Sequence, residues 1–193
     1  QDRHVFVTSG DWNMDGRKDI LIGSRSGKIY AFENRADKGT DWYQINFPSL
    51  QNNRRNFSAP VLSDIDGDGD LDIISGNRNG RIEWLLNSGT DKKPKWIIHD
   101  LNVSQIDVGS FSKPLLNDLD DDGDLDLLVG NSKGLIIYYE NQGDKSKPYY
   151  VLRNTRISGL QMKGNSSPTL WNWNEDEHPD LIVGGREGFL SLV

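Results

Sequence analysis

The chain has no cysteine, no apolar segment of membrane-spanning length and no excess of basic residues. The lack of cysteine excludes disulfides, thiolate zinc sites and a cysteine nucleophile. Gly, Asn or Asp interrupts every window of about ten residues, so no long helix is expected, and the apolar runs have the length of single β-strands. The formal net charge of −7 over 193 residues argues against a general nucleic-acid-binding protein, because binding to phosphates requires a basic surface.

Four acidic loops recur at nearly constant spacing. They begin at residues 11, 64, 118 and 172, which are 53, 54 and 54 residues apart. In the second and third loops Asp stands at positions 1, 3, 5 and 9, and Gly stands at position 6, where a sharp turn is needed. This alternation suits Ca²⁺, a hard cation that takes six to eight oxygen ligands at about 2.3–2.6 Å. Ordinary acidic surface turns also use Asp and Gly, but they would not repeat in register.

The sequence predicts about three calcium ions with a structural role. The predicted ligands, loop by loop, are Asp11, Asn13, Asp15, Arg17 and Asp19, then Asp64, Asp66, Asp68, Asp70 and Asp72, then Asp118, Asp120, Asp122, Asp124 and Asp126. The residues at position 7, which are Arg17, Asp70 and Asp124, are expected to contribute backbone carbonyls. An EF-hand is excluded, because position 12 lacks the required Glu and the flanking segments have the composition of strands.

The fourth loop departs from this pattern. Its corresponding residues are Asn172, Asn174, Asp176 and Asp180, which carry only two negative charges. Glu177 replaces the glycine of the turn. We therefore expect this loop to bind calcium weakly or not at all.

Each acidic loop is embedded in the same order of strand-like segments. A short apolar strand precedes the loop, at residues 5–8, 59–62, 114–116 and 168–170. A run of β-forming residues follows it, at 20–22, 71–74, 125–129 and 181–183. A turn containing glycine then leads to a third strand at 28–33, 81–86 and 135–140, and a fourth strand is expected at 42–45, 95–99 and 149–152.

Four short antiparallel strands in each repeat predict an all-β protein, a β-propeller of about four blades whose last blade is incomplete. The predicted repeats are 3–46, 56–100, 110–153 and 164–193, within a single domain or fragment spanning 1–193. A meandering β-sandwich would not need such a strict repeat. The chain could be part of a larger propeller, could close as a small ring, or could receive its missing strand from a neighbouring chain.

Two segments carry a resemblance to a known family. Residues 64–72 are followed by Ile-Ile-Ser-Gly, and residues 118–126 by Leu-Leu-Val-Gly. In this they resemble the FG-GAP/VCBS repeat family, which forms the blades of integrin α-subunit propellers. The resemblance implies a β-propeller with Ca²⁺ in the loop between the first and second strands of each blade. It also implies an extracellular location and a role in adhesion or ligand recognition.

The function expected from these features is that of a secreted or surface-exposed calcium-binding module that recognises a glycan or protein ligand and is not an enzyme. No catalytic set stands out, since His4, His99 and His178 fall at unrelated positions of the repeat. Two alternatives stay open. One is a structural protein that assembles into fibres or rings through the open edge of the last blade, and the other is a calcium-dependent polysaccharide lyase. No nucleic-acid partner is expected.

Three further patterns recur with the repeat or on the surface. Trp12 and Trp173 occupy position 2 of their loops, where the other loops have Ile or Leu, and this exchange predicts packing rather than stacking on a ligand. Arginines recur at one turn position and are expected to be solvated, with contact to an anionic or sugar ligand as the alternative; they are Arg25, Arg78 and Arg186. Sequons permit N-glycosylation at Asn56, Asn102 and Asn165.

Overall fold

The computed structural model describes residues 5–36, 39, 41–45, 57–90, 93–99, 105–157, 161–174, 176, 179–188 and 190–192. Within these residues the strands form four antiparallel sheets, and no α-helix occurs. None of the described segments forms a helix that is long and apolar enough to cross a membrane. The all-β prediction is confirmed.

The strands of each sheet follow one another in chain order, so that every connection joins neighbouring strands. The first sheet contains β1 (Val5–Gly10), β2 (Asp19–Ser24), β3 (Ile29–Asn34) and β4 (Trp42–Ile45). The second contains β5 (Ser58–Ser63), β6 (Asp72–Asn77), β7 (Ile82–Asn87) and β8 (Trp96–His99). The third contains β9 (Lys113–Asn117), β10 (Asp126–Gly130), β11 (Ile136–Asn141) and β12 (Tyr150–Asn154). The fourth contains β13 (Ser167–Trp171), β14 (Asp180–Gly184) and β15 (Leu190–Leu192).

The acidic loops connect the first and second strands of the sheets. In all four sheets the second strand begins at the Asp of loop position 9, within one residue of the predicted start. Strands flank the loops on both sides, which agrees with the exclusion of an EF-hand. The fourth sheet has three strands in the described part of the chain, as expected for the incomplete repeat.

Hydrophobic cores lie between successive sheets. Trp12, Leu21 and Ala31 of the first repeat pack against Ile73 and Leu85 of the second. Corresponding clusters join the second sheet to the third and the third to the fourth. The first strands are also neighbours in succession, β1 with β5, β5 with β9 and β9 with β13. Sheets that pack face to face with adjacent first strands are consistent with propeller-like blades.

A buried serine ties each sheet to the preceding one. Ser112 Oγ accepts the backbone N–H of Asn77 at 2.8 Å and donates to the carbonyl of Arg81 at 2.7 Å. Ser58 and Ser166 make the same pair of contacts one repeat earlier and one repeat later. Glycine makes this approach possible, since a Cβ on Gly76 would lie 2.0 Å from the carbonyl oxygen of Ser112. The serine at this position thus connects each of the last three sheets to the sheet before it.

The outer face of the first sheet is exposed. Val5 and Val7 on this face are 55% and 62% exposed. The residues at the Val7 position in the other sheets are buried against the preceding sheet; they are Pro60, Pro114 and Pro168. No described sheet therefore covers this face of the first sheet.

The outer face of the fourth sheet is exposed in the same way. Trp173 is 68% exposed, whereas Trp12 and Ile65, at the same loop position, are 1% and 3% exposed. The prediction that Trp173 packs as Trp12 does is therefore wrong. Trp12 and Ile65 are buried by the sheet that follows each of them, and no described sheet follows the fourth.

Candidate metal centres

The first three acidic loops share one backbone conformation. The glycine at position 6 has a positive φ in each, as its predicted role in a sharp turn requires. Its N–H donates to the carboxylate at position 1, from Gly16 to Asp11 at 2.7 Å, from Gly69 to Asp64 at 3.2 Å and from Gly123 to Asp118 at 2.9 Å. The N–H of position 7 donates to the carboxylate at position 5 in all three loops. These bonds fix the curvature that turns the ligand side chains to one side.

Positions 1, 3 and 5 converge in the second and third loops. One carboxylate oxygen from each of Asp64, Asp66 and Asp68 lies within 4.8 Å of the other two. The equivalent set in the third loop meets the same limit and consists of Asp118, Asp120 and Asp122. Ligands on opposite sides of a calcium ion are about 5 Å apart, because each bond is about 2.3–2.6 Å long. Each group of three carboxylates is therefore compact enough to surround one ion of its own.

Some oxygens of these loops are buried without a hydrogen-bond donor. Within the described residues no donor reaches Oδ1 of Asp64, Oδ1 of Asp66 or Oδ2 of Asp19. Burial, with the neighbouring Asp68, raises the pKa of Asp66. A buried carboxylate without a partner is costly, and a cation removes that cost. The all-oxygen donor set and its unpaired atoms fit a hard divalent cation such as Ca²⁺.

The aspartate at position 9 has a different set of contacts. Asp72 Oδ2 accepts the N–H of Ile65 at 3.2 Å, and its Oδ1 accepts the N–H of Asn87 at 2.8 Å. Asp126 makes the equivalent pair of contacts in the third loop. Burial raises the pKa of Asp72 to about 7 and that of Asp19 to about 6. Position 9 therefore ties the acidic loop to the third strand, and its part as a metal ligand stays a prediction.

Sequence reasoning missed the asparagine that ends the third strand. Asn34, Asn87 and Asn141 each donate their backbone N–H to the position 9 carboxylate. Their side-chain Oδ1 atoms accept backbone N–H groups on both sides of the following loop. The available signal was that an Asn recurs 15 residues after position 9 in the first three repeats.

The first loop contains its own cation. The guanidinium of Arg17 donates to Asp15 at 2.5 Å and to the carbonyl of Asn34 at 2.6 Å. Arg17 was predicted to contribute only its backbone carbonyl. Its side chain already neutralises part of the charge on Asp15, so the first loop presents less net negative charge to an ion than the second or third loop.

The fourth loop satisfies part of its polar groups internally. The side-chain amide of Asn174 donates to Asp176 Oδ2 at 2.8 Å, and that of Asn172 donates to the Asp176 carbonyl. Asp180 accepts the N–H of Trp173 at 2.7 Å. Asn172, Asn174 and Asp176 are exposed, and Asp180 is partly buried. The arrangement is in keeping with the expected weak site, which stays a prediction.

The remaining sequence candidates are three histidines and three sequons. His4, His178 and the sequons at Asn56 and Asn102 lie outside the described residues. Asn165 is half-buried and accepts a hydrogen bond from Lys113 Nζ through its carbonyl at 3.0 Å. The ring of His99 lies 4.7 Å from that of Trp84, a packing contact between strands of the second sheet.

Comparison with known proteins gives two matches. Residues 11–75, from the first acidic loop through the second, match the family described as FG-GAP-like repeat. Cartilage acidic protein 1 of Homo sapiens is 24% identical over 197 aligned residues, which cover 95% of this chain and 29% of that protein. The chain thus spans less than a third of the length of this relative. The resemblance predicted from the acidic loops is confirmed, and residues 11–75 carry an FG-GAP-like repeat.

Proposed function

We propose that this chain is a calcium-binding β-propeller module that recognises a ligand outside the cell, without catalysis, and whose ions have a structural role. The observation that carries the proposal is the convergence of Asp64, Asp66 and Asp68 with buried oxygens that lack a donor. Carboxylates brought this close repel one another, and burial adds to the cost of their charge. A divalent cation turns this unfavourable cluster into a stabilising one.

The ions would be held by the side chains at positions 1, 3 and 5 of the first three loops. When bound, such an ion supplies positive charge. It also links parts of the loop that are otherwise joined by hydrogen bonds from backbone N–H groups to the carboxylates. Because the converged site does not exist in the unfolded chain, binding energy becomes folding energy. The second and third loops are expected to bind more tightly than the first, where Arg17 already pairs with Asp15.

An extracellular location is supported by the FG-GAP-like repeat and by the name of the relative, which refers to cartilage. Extracellular calcium modules work with dissociation constants of about 10⁻⁴–10⁻³ M. Loops with three converging carboxylates and partial exposure suit that range. The proposal therefore does not require the tight affinity of a cytosolic calcium sensor.

Calorimetric titration of the calcium-stripped chain tests the metal role. We expect about three ions per chain, and we expect Asp66→Ala to reduce this number by one, because it removes a ligand oxygen from a single loop. Asp107→Ala is the matched control, since Asp107 is an exposed carboxylate that pairs with Arg81 outside the acidic loops. Absence of binding at millimolar calcium, or an unchanged stoichiometry in Asp66→Ala, would reject the assignment.

Self-assembly is a second candidate, supported by the exposed outer faces of the terminal sheets. Val5 and Val7 are exposed at one end, and Trp171 and Trp173 at the other. Apolar surface of this kind marks interfaces in many proteins. Sedimentation velocity over a range of concentrations separates the candidates, since assembly predicts species that grow with concentration. A single monomeric species would remove the assembly role.

The polysaccharide lyase stays a third, untested alternative. The carboxylates that converge in the second and third acidic loops are proposed as metal ligands rather than as a catalytic base. Incubation with acidic polysaccharides, followed by the ultraviolet absorbance of unsaturated products, tests it directly.

A further inference from the structure

A cavity of about 720 Å³ opens at the ends of the sheets opposite to the acidic loops. All four sheets contribute to its wall, including the turns that connect the second and third strands. Consecutive antiparallel strands reverse direction, so these turns and the acidic loops lie at opposite ends of the sheets. Small-molecule sites commonly have volumes of about 300–1,000 Å³. The cavity is therefore separate from the proposed metal centres and has the size of a ligand site.

Three phenylalanines form an apolar part of the wall. The ring centroids of Phe6 and Phe57 are 4.9 Å apart, and those of Phe57 and Phe111 are 5.2 Å apart, both pairs packing edge to face. Phe6 lies in β1, whereas Phe57 lies one residue before β5 and Phe111 two residues before β9. The rings thus form a continuous apolar surface across the first three sheets.

The backbone holding this wall is in an unusual conformation. Phe57 and Phe111 have φ angles of 92° and 52°, and Asn165, at the equivalent place before the fourth sheet, has a φ of 52°. These three residues are 54 positions apart. Bulky side chains rarely adopt positive φ, and backbone strain of this kind is concentrated at binding sites. The repeat therefore keeps a residue with positive φ at the cavity in three successive blades, and at two of these positions the residue is a bulky phenylalanine.

Positive side chains surround the apolar surface. Arg25, Arg78 and Arg186 line the cavity from the same turn position of the first, second and fourth sheets, and Lys113 lines it from the start of β9. No Asp or Glu is among the described residues that line it. The ion pairs formed within the described part of the chain involve none of these four cations.

Two of the cations are also held against the rings. The guanidinium carbon of Arg78 lies 5.8 Å from the Phe111 ring centroid, and Lys113 Nζ lies 5.6 Å from that of Phe6. Burial lowers the pKa of Lys113 to about 8, which leaves it mostly protonated at pH 7. The chain has a net charge of −7, yet four cationic side chains without an ion-pair partner among the described residues line one concave site. Such a site concentrates anions.

We propose that this cavity binds a small organic anion that carries at least two acidic groups on a ring-shaped body, as an acidic disaccharide does. The inference deepens the proposed recognition role and rests on it, while it is independent of the proposed role of calcium. Arginine forks match carboxylate and sulfate groups in geometry and charge. The phenylalanine rings offer an apolar face to the body of the ligand, and Ser132 and Ser167 offer hydroxyl groups beside it.

The two features of the wall select against simpler ligands. An uncharged sugar would leave the arginines without a partner in the bound state. An inorganic anion would leave the phenylalanine surface in contact with water, with no gain from its burial. Only a ligand with both an acidic and a ring-shaped part uses the whole wall.

Isothermal titration calorimetry tests this with three probes: digalacturonate, the uncharged disaccharide digalactose, and sodium sulfate. The full chain and each probe are held in the same millimolar calcium, so that the metal sites stay occupied, and titration of each probe into that buffer alone corrects for its own binding of calcium. We expect digalacturonate to bind one to one and at least about tenfold more tightly than either control, since a hydrogen bond to a charged group contributes about 1.5–3 kcal/mol.

Charge-removing variants locate the binding. Arg78→Gln and Arg186→Gln should each weaken digalacturonate binding by about tenfold. Arg153→Gln should leave the affinity unchanged. Arg153 is an exposed arginine on the outer strand of the third sheet, where it pairs with Glu140 of the neighbouring strand. All three side chains are exposed, and melting curves verify that the variants are folded.

Three results would overturn the inference. They are no binding of digalacturonate, sulfate binding of equal strength, or undiminished affinity in both cavity variants, which would assign the probe to the acidic loops. Failure of the metal proposal can be told apart from failure of the cavity proposal, because only the former abolishes calcium binding in the separate calcium titration. Intact calcium binding without digalacturonate binding would reject only the cavity.

Discussion

Single aspartates within one acidic loop have two different roles. Asp64 and Asp66 turn toward a shared point and keep buried oxygens without donors, whereas Asp72 accepts two backbone N–H groups. The motif predicted all of these aspartates as ligands, because the same residue type stands at positions 1, 3, 5 and 9 of the loop. The difference could not be predicted from the loop alone, since one donor to Asp72 lies 15 residues away at the end of the third strand.

The buried aspartates at position 9 make the stability of the calcium-free chain depend on pH. The pKa of Asp72 is about 7 in the folded chain against an ordinary value of 3.8, because the carboxyl is buried. A raised carboxyl pKa means that the folded state binds the proton more tightly. This contribution to stability is complete below pH 3.8 and is lost as the pH rises through about 7. We therefore expect the calcium-free chain to have a lower free energy of unfolding at pH 8 than at pH 5, measured by urea denaturation.

Calcium should remove this trend. The ion and the proton compete for the carboxylates of the loops, so calcium affinity should rise between pH 5 and pH 8. The calcium-saturated chain at the same two pH values is the control. A calcium-free chain whose stability is constant or rises over this interval would contradict the burial of these carboxyl groups.

At the scale of the elements, the repeated serine connects one sheet to the next. Ser112→Ala would leave the N–H of Asn77 and the carbonyl of Arg81 without this partner inside the interface. We expect it to lower the free energy of unfolding by about 1–3 kcal/mol. Ser146→Ala, at an exposed serine of the β11–β12 connection, should change it by less than about 0.5 kcal/mol. Equal effects of the two substitutions in chemical denaturation would argue against the serine contact.

The two tryptophans at loop position 2 give a second comparison between sheets. Trp12 is buried against the second sheet, and Trp173 is exposed on the fourth. Trp12→Ala should cost about 3–5 kcal/mol of unfolding free energy, whereas Trp173→Ala should change it by less than about 0.5 kcal/mol. A large loss for Trp173→Ala, measured in the same way, would show that this face is covered in solution.

At the scale of the whole molecule, the period of the acidic loops predicted the number and order of the sheets. The short apolar and β-forming runs on each side of a loop were enough for this, because such runs form strands that bury apolar side chains against neighbouring sheets. The cavity could not be predicted in the same way. Its arginines and phenylalanines are far apart in sequence, and only the packing of four sheets brings Phe6, Phe57 and Phe111 into contact.

The exposure of the terminal sheets was also beyond prediction from local sequence. Trp173 stands where Trp12 and Ile65 are buried, and nothing in the loop itself distinguishes its surroundings. The burial of Trp12 and Ile65 depends on the sheet that follows each of them. A following sheet is not sufficient by itself, since Leu119 at the same loop position is 37% exposed although the fourth sheet packs on the third.

The measurement that tests the structural role of calcium most directly is the thermal unfolding of the whole chain in EDTA and in calcium at about a hundred times the dissociation constant, which is about 10 mM for a constant of 10⁻⁴ M. At a free calcium concentration a hundred times the dissociation constant, each occupied site adds about 2.7 kcal/mol of stability. For a chain of this size, two such sites should raise Tm by roughly 10–20 °C. Magnesium at the same concentration is the control and should raise Tm less, because it keeps its water ligands more strongly. We predict a large calcium-dependent rise in Tm. The same Tm in calcium and in EDTA would contradict a structural role of the ions.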